Sequence, residues 1–182
     1  MIVRHGETEW ALAGKHTGNT DIPLTEAGEA QARSVVERLA GREFALVLTS
    51  PLQRARRTAE LAGYGERAEL DADLRERDYG DYEGLTTKEI RKTIPGWDVW
   101  RDEMLNGETL AEVGARADRV IERALAADGD TLLFAHSHLL RTLGARWIGL
   151  GPEGGGKLTL ATAAVSVLGF ERERRVLKRW NG

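Results

Sequence analysis

The chain has 182 residues, 41% of them hydrophobic and 30% charged, which suits one packed domain over 1–182 and is too short for two comfortable ones. Lys and Arg number 26 against 29 Asp and Glu, a formal charge of −3, so composition offers no general attraction to nucleic acid or anionic membrane. Cysteine is absent, which excludes disulfides, thiol nucleophiles and zinc–thiolate sites.

The opening, MIVRHGETEW, has no apolar signal core, and no later stretch approaches the roughly 18 apolar residues of a membrane span. The expected location is the cytoplasm. Met1-Ile2-Val3 predicts a first strand, held inside a sheet. Residues 7–24 are mostly polar and predict a long functional loop. Thr25 is placed to cap a helix running to about Gly41, with Ala27, Ala30, Val35 and Leu39 as its apolar stripe. Ala45–Leu48 reads as a buried strand. Ser50 then caps a second helix, with Pro51 at its first position and its end near Ala62. A short strand near 69–72 and a helix over 86–93 follow.

The clearest helix is 109–127, where Leu110, Val113, Ala117, Val120, Ile121, Ala124 and Leu125 recur at three and four. Thr131–Ala135 is a third apolar strand, followed by a helix from about Leu139 to Leu150 and a flexible loop over Gly151–Gly156. Leu158–Thr162, Val165–Phe170 and Val176–Trp180 read as strands, the closing ones antiparallel. Strands alternating with helices predict an α/β sandwich, a mostly parallel central sheet flanked by helices. No repeat and no linker divides the chain.

Polar residues stand at three strand ends: Arg4 and His5, then Ser50, Pro51 and Arg54, then His136, Ser137 and His138. Parallel strands would bring them to one sheet edge, the usual ligand site of such folds. Two arginines match phosphoryl oxygens, and the helix starts after residues 50 and 137 would aim free N–H groups at the same place. The pattern suits a phosphoryl dianion. A metal site is the competing reading, but no ligand spacing supports it and the arginines would repel a cation.

At these residues the chain resembles the histidine phosphatase superfamily, also called phosphoglycerate mutase-like. The carriers are Arg4-His5-Gly6-Glu7-Thr8-Glu9-Trp10, the segment His16–Gly28, Ser50-Pro51-Leu52-Gln53-Arg54-Ala55, Leu74-Arg75-Glu76 and the His136 segment. The resemblance implies a metal-independent enzyme without cofactor. His5 would be the nucleophile, held in one tautomer by a backbone carbonyl or an acid, and Glu76 the proton donor. Arg4, Arg54 and His136 would form the phosphate pocket, with Asn19 and Ser137 as further substrate-binding residues.

Two positions depart from the family pattern, Ala11 where many members have Asn and Ser137 where many have Gly, and with the short chain they allow a broad-specificity acid phosphatase. The runs 76–84 and 100–109 are similar to sugar-bisphosphate phosphatases of the sedoheptulose-bisphosphatase type. A small phosphorylated metabolite is the expected partner, in a pocket bordered by Arg77, Tyr79, Trp97 and Arg101, with inorganic phosphate as product. A homodimer is left open. The short stretch between Glu76 and Thr109 favours hydrolysis over mutase chemistry, which needs a cover that excludes water. A silent phosphate-binding module is the third alternative.

Overall fold

Side chains alternate along each short apolar strand, and the two sets they present demand cover on both faces. In the computed structural model, which describes residues 1–182, the elements are β1 (Ile2–Arg4), α1 (Glu9–Leu12), α2 (Glu26–Leu39), β2 (Leu46–Thr49), α3 (Gln53–Leu61) and β3 (Glu69–Leu70). They continue with α4 (Thr87–Thr93), α5 (Leu110–Leu125), β4 (Thr131–Ala135), α6 (Ser137–Trp147), β5 (Val165–Glu171) and β6 (Arg174–Arg179). The sheet order is β3-β2-β4-β1-β5-β6. The first four strands in that order run parallel, and β5 and β6 add antiparallel pairs at one side.

Ile2, Leu48, Leu133 and Ala135 pack with Val113, Ala117, Val120 and Ile121 of α5 and with Leu139, Leu140 and Leu143 of α6. The alternate residues, Val3, Val47, Leu132 and Phe134, pack with Val35 and Leu39 of α2 and Ala59 of α3. The predicted mostly parallel sandwich is therefore the observed fold.

Several local expectations shift. The loop 7–24 contains the single turn α1. The buried stripe of α2 is Gly28, Ala32, Val35 and Leu39, while Ala27 and Ala30 are exposed. The helix is rotated because Gly28 lies against the backbone of Glu7. α3 starts at Gln53, two residues after Pro51. Gly151–Gly156 is largely a 3-10 turn, Pro152–Lys157. Leu158–Thr162 forms no strand, because β5 already occupies that side of β1. Side chains satisfy its backbone instead: Leu160 O accepts from Arg4 Nη1 at 2.5 Å, Thr159 O from Trp180 Nε1 at 2.5 Å, and Ala161 N–H donates to Asn181 Oδ1 at 2.6 Å.

The close approach at Gly28 seats the loop that follows β1. Thr25 Oγ1 caps α2 by accepting from Gly28 N–H at 2.9 Å and donates to Glu7 Oε1 at 2.9 Å. A Cβ at Gly28 would stand 2.1 Å from Glu7 O, a backbone atom that cannot swing aside. Alanine would gain about 1 kcal/mol of helix propensity and meet an overpacking cost of roughly 1–3 kcal/mol. Gly28→Ala should therefore be net destabilised in urea titration. Unchanged or increased stability would show that the loop yields freely.

Candidate active site

The parallel register places the ends of β1, β2 and β4 together. Arg4 pairs with Ala135, Thr49 with Phe134, and His5 N–H donates to Ala135 O at 2.9 Å. His5 and His136 thus meet with ring centroids 5.2 Å apart.

His5 Nδ1 lies 2.6 Å from Gly6 O. A carbonyl only accepts, so Nδ1 carries the proton and Nε2 keeps the free lone pair. The expected carbonyl is thus the one next in the chain. Gly6 N–H is itself held by Thr58 Oγ1 at 3.0 Å. His136 has the opposite tautomer. Its Nδ1 accepts from Arg54 Nε at 3.1 Å, so its Nε2–H donates to Ser50 Oγ at 2.8 Å.

Arg54 is 0% exposed and touches no carboxylate. Its Nη1 donates to Thr20 O at 3.0 Å and its Nη2 to Gly18 O at 2.9 Å and Thr17 O at 3.3 Å. With five N–H donors on a guanidinium, these bonds leave one on Nη1 unused. Arg4 donates to Leu160 O, while its buried Nε has no partner.

Glu76 is buried, and its oxygens accept three backbone N–H groups. Oε1 takes Arg77 N–H at 3.0 Å and Leu139 N–H at 3.0 Å, and Oε2 takes His138 N–H at 3.1 Å. This corrects the expectation of free helix starts. The carboxylate occupies the first turn of α6, and Asp21 Oδ1 accepts Gln53 N–H of α3 at 2.8 Å. Asp21 thus takes one N–H of α3 and Glu76 two of α6, so anion recognition falls mainly to guanidinium and imidazole groups.

A cavity of about 190 Å³ is lined by Arg4, His5, Glu76, Tyr79, Ser137 and His138, with Thr8, Ala11, Lys15 and His16 among its other walls. Arg54 and His136 are fully buried next to His5 and do not line the cavity. The departures Ala11 and Ser137 both face the cavity. Asn19, expected to bind substrate, lies elsewhere: its Nδ2 donates to Asp78 Oδ2 at 2.7 Å and its Oδ1 accepts from Arg75 Nη2 at 2.8 Å.

Of the expected border residues, only Tyr79 lines the cavity. Arg77 points away to Val99 O and Glu108 O, Trp97 packs with Tyr79, Ile90 and Met104, and Arg101 pairs with Asp102. Thr8, Lys15 and His16 were not singled out. Thr8 and His16 stand in the segments that carry the family resemblance, without an assigned role, and Lys15 is marked only by its place in the long polar loop.

The electrostatics of the four histidines share a direction. Burial, then the charges of Arg4 and Arg54, hold His5 well below the ordinary 6.5. Burial, then Arg54, does the same to His136, and burial, then Arg141, to His138. His16 is lowered to about 4 by burial and Arg77. Burial, then the Glu76 charge, raises the Tyr79 phenol well above 10, and its hydroxyl lies 2.5 Å from His138 Nδ1. No group of three or more His, Asp or Glu side chains is arranged to hold a metal ion.

The family model for the histidine phosphatase superfamily, branch 1, matches residues 1–182. The chain belongs to that superfamily. Among its relatives, an acid phosphatase of Mycobacterium tuberculosis is 39% identical over 181 residues, covering 97% of this chain and 89% of the relative. A sedoheptulose 1,7-bisphosphatase of Saccharomyces cerevisiae is 39% identical over 184 residues, covering 83% and 68%. A solved structure of an open reading frame product of Mycobacterium tuberculosis superposes with a TM-score of 0.93 at 38% identity, covering 99% of this chain and 95% of the other. No helix of this histidine phosphatase is long and apolar enough to cross a membrane.

The histidine environment makes stability depend on pH with a definite sign. An unfolded histidine takes a proton near 6.5, whereas these folded ones take it lower, so the unfolded state binds more protons as pH falls. Stability is full above about 6.5 and is lost progressively below it, for His16 over the window down to about 4. Urea titrations between pH 7.5 and 5.5, above the range of most carboxylates, should show unfolding free energy falling with pH. Imidazole ¹⁵N NMR should report His5 as the Nδ1–H tautomer and His136 as Nε2–H. Flat stability with protonated imidazoles at pH 6 would contradict this electrostatic picture.

Proposed function

We propose that the protein hydrolyses phosphomonoesters of small metabolites, sugar phosphates foremost, through a phosphohistidine on His5, with residues 1–182 acting as one domain. The observation that carries this reading is the 2.6 Å approach of His5 Nδ1 to Gly6 O, which leaves Nε2 unprotonated beside the buried guanidinium of Arg54 and the half-buried one of Arg4. The low proton affinity of His5 keeps that nitrogen nucleophilic into mildly acidic solution. The acid phosphatase and sugar-bisphosphatase relatives support the same reaction class.

In the first step His5 Nε2 attacks phosphorus in line, the N–P bond forms and the bond to the ester oxygen breaks. Arg4, the spare Nη1–H of Arg54 and Ser137 meet the phosphoryl oxygens, and His136 joins them by turning its Nε2–H from Ser50 Oγ to the phosphate. Glu76 supplies the proton to the departing alkoxide. It then takes one from water, which attacks phosphorus, releases inorganic phosphate and restores His5. Asn19 is left out of this set because its side chain is committed to Asp78 and Arg75.

A panel of phosphorylated metabolites, read by phosphate release with 3-phosphoglycerate isomerisation followed in parallel, tests the function. Release from several small esters with little isomerisation is expected. Rapid isomerisation with negligible release would make the protein a mutase. Rapid quench of wild type with labelled substrate should trap an acid-labile, base-stable phosphoenzyme that His5→Ala lacks, and full activity in His5→Ala would refute the nucleophile.

Metal independence is a separate expectation, since the site offers guanidinium groups where a divalent ion would need carboxylates. Turnover should survive exhaustive EDTA treatment. Activity lost to EDTA and restored by one particular divalent ion would overturn it.

A further inference from the structure

Glu76 sits on a stretch, 75–79, without regular secondary structure, yet acid catalysis requires its carboxylate at a set distance from the leaving oxygen. Its position is controlled from behind by Arg116 of α5. Arg116 Nη1 donates to Asp73 O at 2.6 Å and to Arg75 O at 2.9 Å, and Nη2 reaches Glu76 O at 3.5 Å. The other edge of the guanidinium is bidentate on Glu108, with Nε to Oε1 at 2.6 Å and Nη2 to Oε2 at 2.7 Å. Both side chains are largely withdrawn from water, 14% and 16% exposed.

Glu108 grips the chain beyond Glu76. Its N–H donates to Asp78 O at 2.9 Å, its Oε2 accepts from Asp78 N–H at 3.4 Å, and its carbonyl accepts from Arg77 Nε at 2.9 Å. The ion pair therefore holds carbonyls before the acid and peptide groups after it. The helix carrying Arg116 is fixed by a capping box, Thr109 with Glu112, and by burial against α6. α6 in turn supplies the N–H groups that hold the carboxylate. Backbone and carboxylate of Glu76 are thus referred to one rigid pair of helices.

A cleft of about 600 Å³ borders this segment, Glu76 included, and is lined further by Asn19, Arg75, Glu108, Arg116 and Arg119. Each of its three arginines already has a protein acceptor: Arg75 bonds Asn19, Arg119 bonds Asp73 at 2.6 Å and 2.8 Å, and Arg116 bonds Glu108. That arrangement marks the outer face of a brace rather than an anion site.

We infer that the Glu108–Arg116 pair is a positioning device for Glu76, setting the acid against the leaving oxygen without touching substrate. The inference rests on the acid role proposed above for Glu76. A planar fork serves two carbonyls and a carboxylate at once, which an ammonium cannot reproduce.

The test compares Glu76→Gln, Arg116→Lys, Glu108→Gln and the double variant Glu76→Gln with Arg116→Lys. Each is assayed on glycerol phosphate, a poor leaving group, and on p-nitrophenyl phosphate, a good one. In single-turnover rapid quench, before the water step that both substrates share, Arg116→Lys should slow phosphoenzyme formation from glycerol phosphate roughly 10- to 100-fold, with substrate affinity and the aryl phosphate rate nearly unchanged. It should add no loss in the Glu76→Gln background. Glu108→Gln, which keeps the shape of the pair, should show the same pattern more mildly and covers the case in which Arg116→Lys does not fold. Equal losses on both substrates, or losses that multiply with those of Glu76→Gln, would reduce the pair to a fold-stabilising role and overturn the inference. If Glu76→Gln itself treats both substrates alike, the acid assignment falls first and the brace with it.

Discussion

Two guanidinium groups buried at one sheet edge are the constraint around which the rest of the site is organised. Withdrawing a cation from water costs several kcal/mol unless charge and hydrogen bonds are returned to it. Arg54 receives three carbonyls and an imidazole nitrogen, and Arg4 receives Leu160 O. Glu76 is the one carboxylate buried among them, so the region keeps a positive excess while its histidines are neutral. A phosphoryl dianion would supply the missing negative charge.

That same need for acceptors shapes the neighbouring chain. The carbonyls of Thr17, Gly18 and Thr20 turn inward because Arg54 requires them, which gives the long polar loop a defined path. From outside, Glu83 accepts Asn19 N–H at 2.5 Å and Thr20 N–H at 3.0 Å. A loop held between a buried cation and a half-buried carboxylate can line a cavity with His16 and Lys15 with no regular element beyond the single turn α1.

Helix starts are a usual anion site, and here protein carboxylates already take Gln53 N–H of α3 and His138 and Leu139 N–H of α6. Glu76 takes the N–H groups at the start of α6, placing an acid about one turn from His136 while removing an anion site. Recognition by guanidinium and imidazole is then the remaining means, and it has a directional character that bare helix dipoles lack. The unpaired Nε2 of His138 and Nε of Arg4, both on cavity-lining residues, show that polar satisfaction there is incomplete, which a bound ligand would explain.

The sequence by itself determined the layers and the identity of the polar strand ends. Apolar runs such as Thr131–Ala135 and the three-and-four spacing of α5 are local patterns, and each has one favourable burial. The motif residues Arg4, His5, Arg54, Glu76 and His136 were legible for the same reason, as unusual residues at predicted strand ends or in quoted family segments. Only tertiary structure decided which donors were already spent. The N–H groups of α6 looked free until a carboxylate more than sixty positions earlier in the chain reached them, and Asn19 looked available until Asp78 and Arg75 took it. The rotation of α2 and the missing strand at 158–162 have the same origin. Each depends on a backbone or side chain distant in sequence, Glu7 for the first and Arg4, Trp180 and Asn181 for the second, whose approach no local periodicity encodes.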